Sequence, residues 1–163
     1  MATGPQLVRV STEIDAPPAA VWARVSDHEN TPSWVDIVKK VTLLREGKPR
    51  NGVGAIRRVE FRPLLWSAIS EEIVHFEPPH EFRYVILKGM PGLVSHLGKL
   101  IVDDLGAGRT QLRWEIDFVF QSLHPFRLLW PSFIKRFAGV LNEGVGTLKR
   151  QLETETPRRA DRG

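Results

Sequence analysis

The chain contains no cysteine among its 163 residues. That excludes a disulfide scaffold, thiol catalysis and cysteine metal sites, and it fits a reducing compartment. Nor is there an apolar run near the eighteen or so residues that a membrane helix needs, and no basic segment followed by an apolar stretch opens the chain. These absences lead us to expect a soluble, cytoplasmic protein. Also missing are a nucleophile elbow, a phosphate-binding glycine loop, a dinucleotide fingerprint and a kinase signature, so no cofactor is expected. His28, His75, His80 and His124 lack the spacing of a zinc motif, and no metal site is expected either. The net charge of +4 raises the question of nucleic acid. Part of the excess, however, sits in Pro157–Gly163, which reads as a disordered, solvated end, and Lys39-Lys40 and Arg57-Arg58 are short pairs among acids. No nucleic-acid partner is expected.

What is present begins with two changes of hydrophobic period. Val8, Val10, Thr12 and Ile14 alternate with Arg9, Ser11 and Glu13, the pattern of a half-buried strand over Leu7–Ile14. A short helix should follow, capped by Asp15, with Pro17 and Pro18 in its first turn and Val21, Trp22 and Val25 as its apolar stripe. The spacing then predicts a second short helix opening at Thr31-Pro32 and carrying Trp34, Ile37 and Val38. Six further strands are expected at Val41–Leu44, Val53–Phe61, Trp66–Phe76, Glu81–Leu87, Leu93–Val102 and Thr110–Phe120. The last alternates most cleanly, with Leu112, Trp114, Ile116, Phe118 and Phe120 opposite Arg113, Glu115 and Asp117. Phe133, Phe137, Leu141, Val145, Leu148 and Leu152 recur at helical spacing, predicting a terminal amphipathic helix of about twenty residues. One domain over 1–155, followed by a basic tail over 156–163, is the expected organisation. The order of elements argues for an α+β fold with an antiparallel sheet, since parallel crossovers would require helices between the strands.

The segment Ser11-Thr-Glu-Ile-Asp-Ala-Pro-Pro-Ala-Ala-Val-Trp22, with Trp34 and the terminal helix, resembles the START-like (SRPBCC) helix-grip superfamily. Its relatives include polyketide cyclases/dehydrases, aromatase/cyclases, plant pathogenesis-related allergens and lipid-transfer domains. The resemblance implies a curved antiparallel sheet of about seven strands gripping the long C-terminal helix, two short helices after the first strand, and a cavity for a hydrophobic ligand. The terminal helix also carries Gly139, Gly144 and Gly146, at about 1 kcal/mol each against alanine. Close packing or space for a ligand could offset that loss.

Strand parity selects the polar residues that share a face with apolar ones: Arg57, Glu71, Tyr84 and His96. In an enzyme of the cyclase/dehydrase kind, Arg57 would stabilise an enolate while Tyr84, Glu71 or His96 moves a proton. Family members that catalyse use pocket arginine, tyrosine, serine and tryptophan, and Arg57, Tyr84, Ser70, Trp34 and Trp66 compare by residue type. The purely structural alternative is an Arg57–Glu71 ion pair. Trp34, Trp66, Ile69, Ile73, Trp114, Phe118, Phe137 and Leu141 are the expected apolar walls, with Trp34 facing the cavity. Ser122–Trp130, rich in apolar residues and broken by Pro125, reads as a lid over the cavity mouth. Its competing reading is a patch that touches a membrane or a partner. Three functions follow: binding of a lipid, quinone or polyketide-like molecule; cyclase/dehydrase catalysis; or association through Leu123–Trp130.

Overall fold

The computed structural model describes residue 2, residues 4–62 and residues 67–156. Seven strands form one antiparallel sheet: β1 (Gln6–Ile14), β2 (Val38–Arg45), β3 (Ile56–Phe61), β4 (Ala68–Glu77), β5 (Glu81–Lys88), β6 (Leu93–Gly106) and β7 (Arg109–Phe120). Their spatial order is β1-β7-β6-β5-β4-β3-β2, so every connection after β2 is a neighbouring hairpin and only β1 crosses to the far edge. The two intervening turns of helix make that crossing: α1 (Pro18–Val25) and a 3₁₀ segment, His28–Ser33. The chain closes with α2 (Trp130–Glu155), packed against the concave face. This is the helix-grip architecture.

Alternation explains the sheet. In β7 every second residue from Thr110 to Phe120 is buried, while Arg113, Glu115 and Asp117 stay on the wet face. There Arg9 meets Asp117 at 2.9 Å and Arg113 meets Asp103 at 2.8 Å. Such exposed pairs contribute little, on the order of 0 to 1 kcal/mol. The apolar face is the source of stability.

Local signals misplace three features. Asp15 does not cap α1; Pro17 occupies the cap position without a side-chain hydrogen bond, and the Asp15 N–H instead donates to Glu153 Oε1 at 2.9 Å. The second short helix starts earlier than its Thr31-Pro32 signal and ends before Trp34, leaving Val38 to open β2. Ile37 sits in the turn that precedes the strand, and Val38 is extended because its apolar side chain answers the sheet and not a helix face. The segment Val53–Ala55 is a turn, with Val53 exposed, so β3 begins at Ile56. The terminal helix runs 26 residues, longer at both ends than its apolar stripe. The expected basic tail beyond residue 156 lies outside the described residues, as does Trp66.

α2 is held to β1 and to the 3₁₀ segment by polar clasps at its C-terminal half. Lys149 donates to the Glu13 carbonyl at 2.5 Å, and Gln151 donates to the Ser33 carbonyl at 2.8 Å. Gly144 is buried against the Trp34 carbonyl, where an added Cβ would lie 3.2 Å away. Close packing therefore accounts for Gly144, whereas a Cβ at Gly139 would meet open space.

Candidate ligand cavity

β3 and β4 place Arg57 directly opposite Glu71, both pointing into the grip. Arg57 Nε donates to Glu71 Oε2 at 2.8 Å, and both side chains are buried. Burial pushes the Glu71 carboxyl above the ordinary Glu range, with Arg57 pulling the other way. The pair leaves no bare guanidinium waiting for a ligand. A second partner completes it: Arg57 Nη1 lies 2.8 Å from His28 Nδ1, and His28 Nε2 lies 3.0 Å from the Asn51 carbonyl. Arginine has only donors, so Nδ1 must accept and the proton sits on Nε2, donating to Asn51. Burial, and after it Arg57, holds the His28 pKa down to about 3.

Tyr84 lies across this cluster, its ring 4.9 Å from the Arg57 guanidinium carbon. Its hydroxyl oxygen accepts a 2.8 Å hydrogen bond from Trp114 Nε1. Burial pushes its pKa well above the usual phenol value. The Tyr84 ring is also 5.4 Å from that of His96, which packs edge-on against Phe118. His96 is buried, its Nδ1 has no hydrogen-bond partner, and burial lowers its pKa to about 3. All four polar residues expected to point inward thus meet in one corner.

A cavity of about 70 Å³ lies between that corner and α2. Ile69, Trp114, Phe118, Phe137 and Leu141 line it together with Arg57, Glu71, Tyr84 and His96. Two expected wall residues do not. Ile73 is buried beneath Tyr84, its cross-strand neighbour, and Trp34 tilts its ring onto Trp114 at 5.5 Å, behind the wall. Trp34 instead borders a second pocket shared with Asp36, Arg62 and Glu143. Sequence reasoning missed Met90 and Phe133, which also line the cavity, and His28, which anchors the polar corner. The signal for Met90 was an apolar residue inside a glycine-proline turn. For His28 no local signal exists, because its partner is 29 residues away.

The lid reading of Ser122–Trp130 is not met. Leu123, Phe126, Leu128 and Leu129 are exposed and none lines the cavity, while Trp130 is buried and stacked on Phe120. Among the described residues, no cluster of three or more acids and histidines is placed to hold a metal ion, and no helix is long and apolar enough to cross a membrane.

A family model described as polyketide cyclase / dehydrase and lipid transport matches residues 5–153. No curated protein matches the chain. Among solved structures, a START superfamily protein from Mycobacterium smegmatis superposes with a TM-score of 0.74 at 18% identity, over 94% of this chain and 100% of that one. The Zhui aromatase/cyclase from Streptomyces sp. R1128 gives 0.72 at 19%, over 91% and 96%. Norcoclaurine synthase from Thalictrum flavum, in complex with dopamine and hydroxybenzaldehyde, gives 0.70 at 13%, over 95% and 90%. At these identities the likeness is one of fold.

Proposed function

The chain belongs to the polyketide cyclase / dehydrase and lipid transport family, and from that premise we propose that it binds a hydrophobic or aromatic small molecule of lipid, quinone or polyketide type between sheet and α2. The observation that carries this reading is an apolar cavity with a single polar corner. A ligand with one oxygen acceptor fits it: Tyr84, whose oxygen already accepts the Trp114 N–H hydrogen bond, directs its own O–H elsewhere. A ligand of about twenty heavy atoms at roughly 0.3 kcal/mol each gains about 6 kcal/mol, which is binding in the tens of micromolar. Apolar walls alone supply that.

At about 70 Å³ the cavity is well below the roughly 300 Å³ at which pockets for such ligands begin. Loading therefore requires the mouth to open, and Met90, unbranched and adaptable, is the side chain suited to move.

Binding is favoured over catalysis by the state of the four polar groups. A proton-transfer catalyst near neutral pH needs a group that titrates there. His96 titrates far below and Tyr84 far above, while Glu71, itself raised by burial, is bound to Arg57. One observation favours the alternative cyclase/dehydrase reading: the Trp114 hydrogen bond to Tyr84 leaves a phenol proton aimed to stabilise a developing enolate.

Native mass spectrometry of the purified protein, with Trp114 fluorescence titration by long-chain fatty acids, quinones and polycyclic phenols, tests the proposal. Binding that Leu141→Trp abolishes by filling the cavity is expected. No retained molecule, and no fluorescence change with any of the three classes, would sink it. Turnover lost on Tyr84→Phe would establish the catalytic alternative.

A further inference from the structure

The segment between β7 and α2 holds large apolar side chains outside the molecule. Leu123 is 85% exposed, Leu128 80%, Leu129 57% and Phe126 56%. Its backbone is tied down nonetheless. Arg127 N–H donates to the His124 carbonyl at 3.0 Å, Leu129 N–H to Phe126 at 2.8 Å, and Gln121 N–H to Gly92 at 2.8 Å. The last bond joins this segment to the β5–β6 hairpin. Below it, Trp130 stacks on Phe120 at 4.1 Å and fixes the base. The apolar groups are thus presented by a braced turn, and a patch of this kind on a monomer calls for a counterpart.

Charge identifies the counterpart. The chain has 19 acids, yet none falls between Gln121 and Asn142 or between Tyr84 and Val102, the two stretches that meet at this end. Lys88, Arg127 and Lys135 are exposed there, and none is ion-paired to an acid among the described residues. Apolar side chains at the apex with unopposed cations around them match an anionic lipid surface, where the chains enter the acyl boundary and the cations meet headgroups. A protein partner would bring its own acids to a flatter, more mixed patch.

We propose that the Leu123–Leu129 turn docks on an anionic membrane surface. Met90 of the adjoining hairpin and Phe133 at the start of α2 line both the cavity and this end of the molecule, so docking sets the cavity mouth against the bilayer from which an apolar ligand would come. The docking itself rests on the exposed turn and not on the ligand reading. Vesicle binding and cavity occupancy therefore fail separately.

The test is co-flotation of the full chain with vesicles of phosphatidylcholine, with and without phosphatidylserine. Wild-type protein is expected to float with the anionic vesicles and to be released by salt. The double variant Leu123→Asp/Leu128→Asp should weaken binding at least tenfold. Each of Arg127→Glu and Lys135→Glu should weaken it by roughly fivefold or more. All of these side chains are exposed, so an unchanged circular dichroism spectrum is expected throughout. Absence of wild-type flotation at low salt would overturn the proposal, as would equal flotation by the double variant. A wild-type dimer that the double variant converts to monomer, with vesicle binding by neither, would overturn it in favour of a second copy.

Discussion

Gly98 on β6 lies directly across from Tyr84 on β5, and the Cβ that Gly98 lacks would fall 2.2 Å from Tyr84 Cζ. The tyrosine ring lies flat on the bare backbone of its neighbour, and only there does its hydroxyl reach Trp114 Nε1. The polar corner of the cavity therefore depends on an absent methyl group.

Replacing Gly98 by alanine should expel the ring, strand the buried Trp114 N–H and destabilise the protein by about 1 to 3 kcal/mol. Urea unfolding measures the loss, and a shift in tryptophan emission reports the lost hydrogen bond. Tyr84→Phe should change emission in the same way without crowding. A Gly98→Ala protein with unaltered stability and emission would refute the relationship.

Breaking the buried Arg57–Glu71 pair from one side should be costly, on the order of 3 to 5 kcal/mol, because the other charge is left uncompensated. Arg57→Met and Glu71→Leu are each expected to lower the urea midpoint severely, and the double variant should recover most of the loss. Additive losses in the double variant would show that the pair is not the coupled unit described.

Acid should destabilise the fold through His28 and His96. Folded, both are held down to about 3, chiefly by burial and secondly by Arg57. Unfolded, they protonate near 6.5, so between those values the unfolded chain binds more protons and stability is lost as the pH falls. At about pH 5 the loss is on the order of 2 kcal/mol per histidine relative to neutral or alkaline solution. Glu71, raised by burial, opposes part of it, since a raised carboxyl favours the fold on acidification. Unfolding curves at several pH values for the wild type and His96→Phe should differ in slope by one proton's worth across that window. Parallel curves would contradict it.

The helix glycines should separate by environment. Gly139→Ala gains helix propensity in open space and should stabilise by about 1 kcal/mol. Gly144→Ala gains the same propensity but presses on the Trp34 carbonyl at 3.2 Å and on Val35, and should gain little or lose. Thermal unfolding of the two variants decides the matter, and equal shifts would argue against close packing at Gly144.

By itself the sequence determined which residues face inward. Arg57, Glu71, Tyr84 and His96 were readable as an inner polar set because strand alternation is a local property, set by the pleat and the side chains on either side. The helix-grip order was equally readable, since it depends on the succession of periods along the chain. Tertiary structure alone decided what those residues meet. His28 joins Arg57 from a 3₁₀ turn, and two register shifts in β4 bury Ser70 beside Glu71 and swing Phe76 onto Trp22. Trp34 falls behind Trp114 instead of facing the cavity, and the Leu123–Leu129 turn projects outward instead of closing over it. Each of these outcomes is a contact between segments remote in sequence, fixed by register and by the packing of α2. No residue's neighbours along the chain carry that information.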